Sequence, residues 1–314
     1  ADAFEAIQSN HKHANNNNNN NTLVSLQERL QSVMHQVDSN NHGCFVKTSS
    51  RSAKDYADLN KLRDKFNANL SLLGGDESEN AKMVAMSYAS MQLLRMPNAA
   101  ATLVVLQNSE RIWHDMKLAL AAQEEMKWEE SLVAREGIDV EPDMEFRCFI
   151  SNGKLVAISQ YRHLVHFPRL VHNREMIQSA LIKAYENIHS KLDAIFPEND
   201  YILDLAIQLD ASCSAASILK AETLSSDAIT KVWVVEVNPY FETTDGCLFS
   251  WDKDKDILLD VDGSSDVHFR LRESTAKGCS SLIYGPWQKV LRNENFDNED
   301  VLENGKGEVS LLFF

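Results

Sequence analysis

The sequence has few of the features that mark a secreted or a membrane-spanning protein. Its five cysteines are odd in number, widely spaced and without a C-x-x-C pair, so they indicate neither a disulfide framework nor a zinc knuckle. No apolar run approaches the roughly 18 to 20 residues of a membrane span, and residues 1–7 lack a basic-then-apolar signal pattern. We therefore expect a protein of a reducing compartment, the cytoplasm, with no membrane contact.

Basic residues and familiar catalytic motifs are also scarce. With 31 Lys and Arg against 46 Asp and Glu, the formal net charge is -15 at pH 7. Generic binding to a phosphate backbone depends on clustered basic residues, so we expect no nucleic-acid partner, although the charge permits a basic protein partner. No Walker A, G-x-S-x-G or Rossmann pattern occurs. His163 and His166 have i, i+3 spacing, but Arg162, Pro168 and the lack of a third ligand argue against zinc.

The composition that remains is typical of a globular protein, with 44% hydrophobic and 25% charged residues. A chain of 314 residues can form two compact lobes. We predict a disordered, asparagine-rich leader at residues 1–22, because an asparagine run cannot offset the entropy cost of ordering it. An N-terminal lobe at residues 23–127 and a C-terminal lobe at residues 128–314, with an insertion loop at residues 209–230, complete the predicted organisation.

Apolar periodicity predicts a mixed α/β (α+β) chain. The clearest local pattern is Asn152-Gly153 between two β-rich runs, which is typical of a tight hairpin. Helices are predicted at residues 23–37, 54–70, 78–95, 109–126 and 173–195, with a short one near residues 215–221. Strands are predicted at residues 44–47, 102–106, 131–134, 145–150, 154–160, 201–208 and 231–237.

Three polar residues interrupt the last two predicted strands. Asp204 lies within an apolar run, and a carboxylate in a covered strand is costly unless it is paired, hydrogen-bonded or bound to a cation. Glu236 and Asn238 are two residues apart, so strand alternation places them on one face, which Asp204 joins if the strands pair. These oxygen ligands suit a magnesium–nucleotide site. The alternative is a solvated sheet face followed by an ordinary Asn-Pro turn.

The run W-V-V-E-V-N-P-Y at residues 233–240, with T-D at 244–245 and L-F-S-W at 248–251, resembles the signature of the cell division cycle protein 123 family. Residues 145–149 and 154–160 match further stretches of that family in order and rough spacing, and the resemblance covers about residues 23–290. It implies an ATP-grasp fold of two lobes with Mg·ATP bound between them. It also implies a monomeric assembly chaperone that grips the gamma subunit of eukaryotic translation initiation factor 2.

The resemblance further implies individual roles. Lys47 would reach the ATP phosphates, and Arg147, the candidate catalytic residue, would point into the cleft. The polar stretch at residues 48–55, which includes Ser52, could cradle phosphate. The metal ligands would be Asp204, Glu236 and Asn238, and the adenine segment would contain Val133, Ala134 and Arg135.

Each of these roles has a plainer alternative. Lys47 could face solvent at a strand edge, and the Ser52 stretch could be a polar cap. Arg147 could form a salt bridge with Glu145 or another neighbour. Asp245 could bind a metal or a substrate group, or only cap the turn before it.

Several departures from the family indicate a divergent paralogue. The family's usual N-terminal segment, upstream of Leu23, is absent or replaced by the asparagine run, and the 209–230 connection is longer than usual. Glu236 replaces the more usual aspartate, and residues 48–55 differ from the family's N-W-S-A-P-R-D run. Two other functions therefore stay open beside the assembly chaperone: an ATP-grasp ligase or phosphotransferase with an unknown acceptor, and a nucleotide-free protein-binding scaffold.

Overall fold

The computed structural model describes residues 17–38, 42–122, 129–195, 199–213, 215–264, 266–283, 285–297 and 300. They fall into two compact units. The first takes in the described residues of Ala1–Lys65, Ala89–Ile138 and Tyr284–Val309, and the second those of Phe66–Tyr88 and Asp139–Ile283. None of the helices in this described part combines the length and apolar character that crossing a bilayer requires. The domain boundary at residues 127/128 stays a prediction.

The first unit is built on a small antiparallel sheet with the strand order β2-β1-β3. Its strands are β1 (Cys44–Thr48), β2 (Arg95–Met96) and β3 (Leu132–Glu136). Leu30 and Met34 of helix α1 (Asn17–Val37) pack in one buried cluster with Val46 of β1. The other helices of this unit include α4 (Ala99–Asn108), α5 (Glu110–Ala121) and α9 (Gly285–Leu291), while α2 (Leu59–Leu72) and α3 (Glu79–Leu93) are divided between the two units.

The chain from Asn98 to Ser109 corrects one prediction, because residues 102–106 form part of a helix and not a strand. The Asn98 side chain accepts a hydrogen bond from the backbone N–H of Ala101, at 2.9 Å, and so caps the start of α4. Leu103 and Leu106 are buried at helical spacing. The cap and the packing outweigh the β-propensity of the Thr-Leu-Val-Val run.

Two further predictions, the leader and the helix at residues 109–126, concern segments that are only partly described by the structure. Helix α1 begins at Asn17, so residues 17–22 of the predicted disordered leader are helical, which corrects that part of the prediction. Residues 1–16 of the leader lie outside the described residues. The helix predicted at residues 109–126 is described as α5 as far as Ala121, and residues 123–128 also lie outside the described part.

The second unit contains a five-stranded sheet with the order β7-β6-β4-β5-β8. The β4–β5 hairpin is confirmed, with φ of 52° at Asn152 and 71° at Gly153, the left-handed pair that a tight hairpin turn needs. All neighbours are antiparallel except β5 and β8. The strands are β4 (Glu145–Ser151), β5 (Lys154–Gln160), β6 (Tyr201–Leu209), β7 (Ile229–Pro239) and β8 (His268–Arg270), and the helices are α6 (Pro168–His172), α7 (Arg174–Asp193) and α8 (Lys255–Leu258).

Short 3₁₀ turns complete the second unit, at Pro142–Met144, Ala215–Leu219 and Cys279–Leu282. The second of these confirms the short helix predicted near residues 215–221. Because Leu209 and Ile229 pair within the sheet, the connection between β6 and β7 comprises residues 210–228.

One face of this sheet is apolar at one end. Phe149 and Ile202 lie opposite each other on β4 and β6 and are buried with Phe249 and Leu258. Phe149 also makes an edge contact with Trp251, at 6.0 Å between ring centroids. This cluster fixes the segment after β7 against the sheet, next to the polar residues described below.

Candidate functional site

A row of polar residues crosses the sheet of the second unit. Ser159 lies opposite Arg147, Arg147 opposite Asp204, and Asp204 opposite Glu236, on strands β5, β4, β6 and β7. Directly opposite residues of antiparallel strands share a face, and alternation puts this row on the face that carries Phe149 two residues away. The sequence prediction that Asp204 joins the Glu236 face agrees with this register.

Arg147 and Asp204 form a buried ion pair in the centre of the row. The guanidinium donates from Nε to Asp204 Oδ1 at 2.9 Å and from Nη2 to Oδ2 at 2.8 Å. Burial alone would lower the pKa of Arg147, but the Asp204 charge outweighs it and the pKa is raised well above the ordinary value. The salt-bridge alternative for Arg147 is therefore what the structure has, with Asp204 as partner, while Glu145 pairs with Arg162 at 3.7 Å.

Asn238 extends this network toward β7. Its Nδ2 donates to Asp204 Oδ2 at 3.0 Å. The amide nitrogen is thereby turned to the carboxylate, and the amide oxygen of Asn238 is the atom left to act as a ligand. Asp204, Glu236 and Asn238 thus offer oxygen ligands from one face of two neighbouring strands. This donor set fits a hard cation such as magnesium.

A tight turn after β7 contacts two residues of the polar row, Ser159 and Arg147. The Trp251 indole donates to the Thr244 carbonyl at 2.7 Å, and the Leu248 N–H donates to the Ser159 hydroxyl at 3.0 Å. A Cβ at Gly246 would lie 2.2 Å from the Phe249 carbonyl oxygen, so only glycine fits there. These contacts hold residues 245–247 in one conformation beside Arg147.

The turn brings Asp245 and Cys247 to His163, which follows β5. The backbone carbonyl of Asp245 accepts a hydrogen bond from Arg147 Nη1 at 2.7 Å. The side-chain Oδ1 of Asp245 accepts one from the Cys247 N–H at 2.9 Å. One ligand atom each from His163, Asp245 and Cys247 lies within 4.8 Å of the others. The sequence argument against zinc at His163 stays a prediction, but the fold places two potential ligands, Asp245 and Cys247, beside this histidine from a turn about 80 residues later.

Burial changes the proton affinity of this group. It raises the pKa of the Cys247 thiol well above its usual range; the Arg147 charge opposes this shift, and the carboxylate of Asp245 adds to it. Burial also lowers the pKa of His163. In the absence of a cation, a protonated thiol and a neutral imidazole are therefore favoured near pH 7.

The residues of the first unit that are predicted to bind the nucleotide on β1 and β3 lie in its three-stranded sheet. Lys47 pairs with Val133, and Arg135 pairs with Phe45, over whose ring its guanidinium lies at 5.2 Å. Lys47 is half-buried, and these side chains share the sheet face opposite Val46. Ala134 pairs with Val46 and packs against the buried cluster. The nucleotide roles of Lys47, Val133, Ala134 and Arg135 stay predictions.

The polar stretch containing Ser52 forms a closed turn. The Ser50 N–H donates to Glu130 Oε1 at 2.9 Å, and the Ser49 N–H donates to the Ser131 carbonyl at 2.8 Å. The Thr48 hydroxyl donates to the Arg51 carbonyl at 2.8 Å. The anion that this turn contacts is thus the Glu130 carboxylate of the chain itself. Phosphate contact by Ser52 stays a prediction.

Residues 84–281 match the model of the D123 family. The chain is 27% identical to the "Translation initiation factor eIF2 assembly protein" of Dictyostelium discoideum over 203 residues, 63% of this chain and 45% of that protein. It is 27% identical to the Xenopus laevis protein of the same name, over 49% of this chain and 37% of the relative. The "Cell division cycle protein 123" of Phaeosphaeria nodorum is 28% identical, over 53% of this chain and 39% of the relative. These matches span less than half of each relative's length.

A solved structure is also similar. C-terminally truncated Cdc123 from Schizosaccharomyces pombe superposes with a TM-score of 0.53 at 16% identity, covering 87% of this chain and 86% of that one. At this identity the likeness concerns the fold. It confirms the mixed α/β (α+β) class predicted from the sequence, and the ATP-grasp type is consistent with it.

Proposed function

Since the chain belongs to the D123 family, we propose that it is an Mg·ATP-binding assembly factor for translation initiation factor eIF2. The relatives from Xenopus laevis and Dictyostelium discoideum are named for eIF2 assembly, and this supports eIF2 as the partner. Within eIF2, the gamma subunit is the partner that we propose, on the resemblance of residues 233–251 to the family signature. The net charge of -15 is compatible with a basic protein surface as the contact.

The observation that supports ATP most directly is the polar row of the second unit. Asp204, Glu236 and Asn238 would hold magnesium through two carboxylates and one amide oxygen. A bound magnesium supplies positive charge that neutralises phosphate oxygens. Arg147 orients the Asp204 carboxylate through its two hydrogen bonds.

One observation favours a second candidate, the nucleotide-free scaffold. The Arg147 guanidinium already neutralises Asp204, so this buried carboxylate needs no cation to be stable in the fold. A binding measurement separates the two candidates.

We would titrate the full chain with Mg·ATP by calorimetry. Wild type should bind, and Asn238→Ala should bind at least tenfold more weakly, because it removes the amide oxygen ligand. Asn199→Ala, an exposed asparagine of the same unit, is the matched control and should bind like wild type. Absence of binding by wild type, or equal binding by Asn238→Ala, would contradict the magnesium site and favour the scaffold.

The assembly role needs a separate experiment. The chain, immobilised with Mg·ATP, should retain purified eIF2 gamma subunit and should not release ADP steadily while doing so. Retention lost on chelating magnesium would link the partner to the nucleotide. ATP turnover that rises with an added acceptor, without retention of the gamma subunit, would instead indicate the ligase or phosphotransferase.

A further inference from the structure

The cluster of His163, Asp245 and Cys247 is separate in chemistry from the oxygen-only set on β6 and β7. It offers an imidazole nitrogen, a carboxylate oxygen and a thiol sulfur within 4.8 Å of one another. Sulfur and imidazole are poor ligands for magnesium but good ones for zinc. We propose that these three side chains form a zinc site, with water completing the tetrahedron.

The imidazole of His163 is already oriented as a metal ligand. Its Nδ1 lies 3.3 Å from the Tyr161 carbonyl, which can only accept, so a hydrogen bond there requires the tautomer with the proton on Nδ1 and the lone pair on Nε2. A carbonyl that holds the second ring nitrogen is the usual outer contact of zinc-binding histidines. The His163 side chain is 5% exposed, and its backbone carbonyl is held by Arg272.

The other two ligands are fixed by the turn after β7. Arg147 holds the Asp245 carbonyl, and the Cys247 N–H holds one oxygen of the Asp245 carboxylate. Cys247 has a φ of +56°, a conformation that residues with a Cβ rarely adopt. In this conformation the thiol is directed to the same place as the carboxylate of Asp245 and the ring of His163.

The distances suit zinc after a small movement. Bonds of about 2.0–2.3 Å place tetrahedral zinc ligands roughly 3.3–3.8 Å apart. The three ligand atoms lie within 4.8 Å, so closing by about 1 Å brings them to that separation. As zinc binds, the Cys247 thiol releases its proton to solvent and coordinates as thiolate.

The charge balance agrees with a divalent cation. The Asp245 carboxylate and the Cys247 thiolate together neutralise the two charges of zinc. Arg147 also faces the cluster but is paired with Asp204, and the remaining charges nearby are Glu145 and Arg272.

A catalytic Cys-His-Asp arrangement would have a different geometry. In such a triad the carboxylate accepts a hydrogen bond from the protonated ring nitrogen of the imidazole. Here the Tyr161 carbonyl occupies Nδ1 of His163, and Asp245 accepts from a backbone N–H instead. The three groups therefore converge as ligands and do not form a relay of hydrogen bonds.

The test is a titration of the metal-free full chain with zinc alone, in competition with a chromogenic chelator. Wild type should take up one zinc, and Cys247→Ser and His163→Gln should each bind at least tenfold more weakly. Cys213→Ser and His189→Gln alter a cysteine and a histidine of the same unit outside the cluster and should bind like wild type. Circular dichroism of each variant reports whether it is folded.

A second measurement on wild type does not depend on the folding of the variants. Cobalt in place of zinc should give a thiolate-to-metal charge-transfer band, and zinc should protect Cys247 from alkylation, as read by peptide mass spectrometry. The absence of that band, no stoichiometric zinc uptake, or uptake that Cys247→Ser leaves unchanged would each overturn the proposal. Uptake lost in Asn238→Ala but kept in Cys247→Ser would assign the ion to the oxygen-only set and overturn it as well. Mg·ATP binding is measured separately, so either proposal can fail alone.

Discussion

Arg147 and Asp204 lie opposite each other on β4 and β6 and are joined by two parallel hydrogen bonds, of 2.9 and 2.8 Å. Their side chains are 7% and 3% exposed. The pair links two functional proposals, because Asp204 also accepts from Asn238 while Arg147 also donates to Asp245. Changes at either residue should therefore affect stability and both sets of candidate ligands.

Removing Arg147 should destabilise the fold strongly. Arg147→Met leaves the Asp204 carboxylate buried without its cation, which costs about 3 to 5 kcal/mol of unfolding free energy. Urea denaturation measures this loss. Lys82→Met removes an ion pair of 2.7 Å with the exposed Glu77 and should cost at most about 1 kcal/mol. Equal losses in the two variants would contradict the structural role of the buried pair.

Glu141 should make stability depend on pH. Burial, followed by the charge of Asp143, raises its pKa to about 7, although Arg169 acts in the opposite direction. Since the folded protein holds this proton more tightly than the unfolded chain, its contribution is favourable below about pH 4.5 and is lost as pH rises toward about 7.

Glu141→Gln provides the comparison. The unfolding free energy of wild type relative to this variant should fall by on the order of 2 kcal/mol between about pH 4.5 and 7. Urea titrations at several pH values measure it. Glu77→Gln, at an exposed carboxylate, should show no such trend. A relative stability of wild type that rises over this range would contradict the raised pKa.

Gly246 should not tolerate a side chain. In Gly246→Ala the new Cβ would meet the Phe249 carbonyl at 2.2 Å, so the turn that holds Asp245 and Cys247 must shift. We expect a melting temperature several degrees lower, from roughly 1 kcal/mol or more of lost stability, and weaker zinc uptake. Gly285→Ala has nothing within 4 Å of its Cβ and should melt like wild type or slightly higher. Equal melting of both variants would show that the turn accommodates the methyl group.

Asn98→Ala should weaken helix α4. The side chain of Asn98 accepts from the Ala101 N–H, and losing such a cap costs roughly 0.5–2 kcal/mol. Chemical denaturation measures this loss, with Asn60→Ala as the control. Asn60 is an exposed asparagine in the first turn of α2 that is not the cap. A smaller effect at Asn98 than at Asn60 would show that packing alone positions α4.

The sequence predicts those features that local patterns determine. Asn152-Gly153 identifies the hairpin, and the spacing of Glu236 and Asn238 identifies the polar face of β7. The apolar run at residues 102–106 is misleading, because β-branched residues are found in strands and in buried helices alike, and the Asn98 cap decides between them.

Contacts between distant segments could not be predicted in this way. The pairing of Arg147 with Asp204 depends on the register of β4 and β6. A slip of one residue would place the side chains of one strand on the other face of the sheet. The cluster of His163, Asp245 and Cys247 depends in addition on a turn held by Gly246. A histidine without a ligand nearby in sequence therefore says little about the ligands that the fold supplies.

Lys47 has two possible roles: it binds the ATP phosphates, as the family resemblance implies, or it is an ordinary surface lysine. It lies on β1 opposite Val133, half-buried, in a sheet whose other face packs on α1. If Lys47 binds ATP phosphate, Lys47→Met should weaken Mg·ATP binding at least tenfold, about 1.4 kcal/mol, in the same calorimetric titration. Lys61→Met, at an exposed lysine of the first unit, controls for the loss of one positive charge. Equal affinities of both variants would remove Lys47 from the nucleotide site and leave the magnesium proposal to rest on the second unit alone.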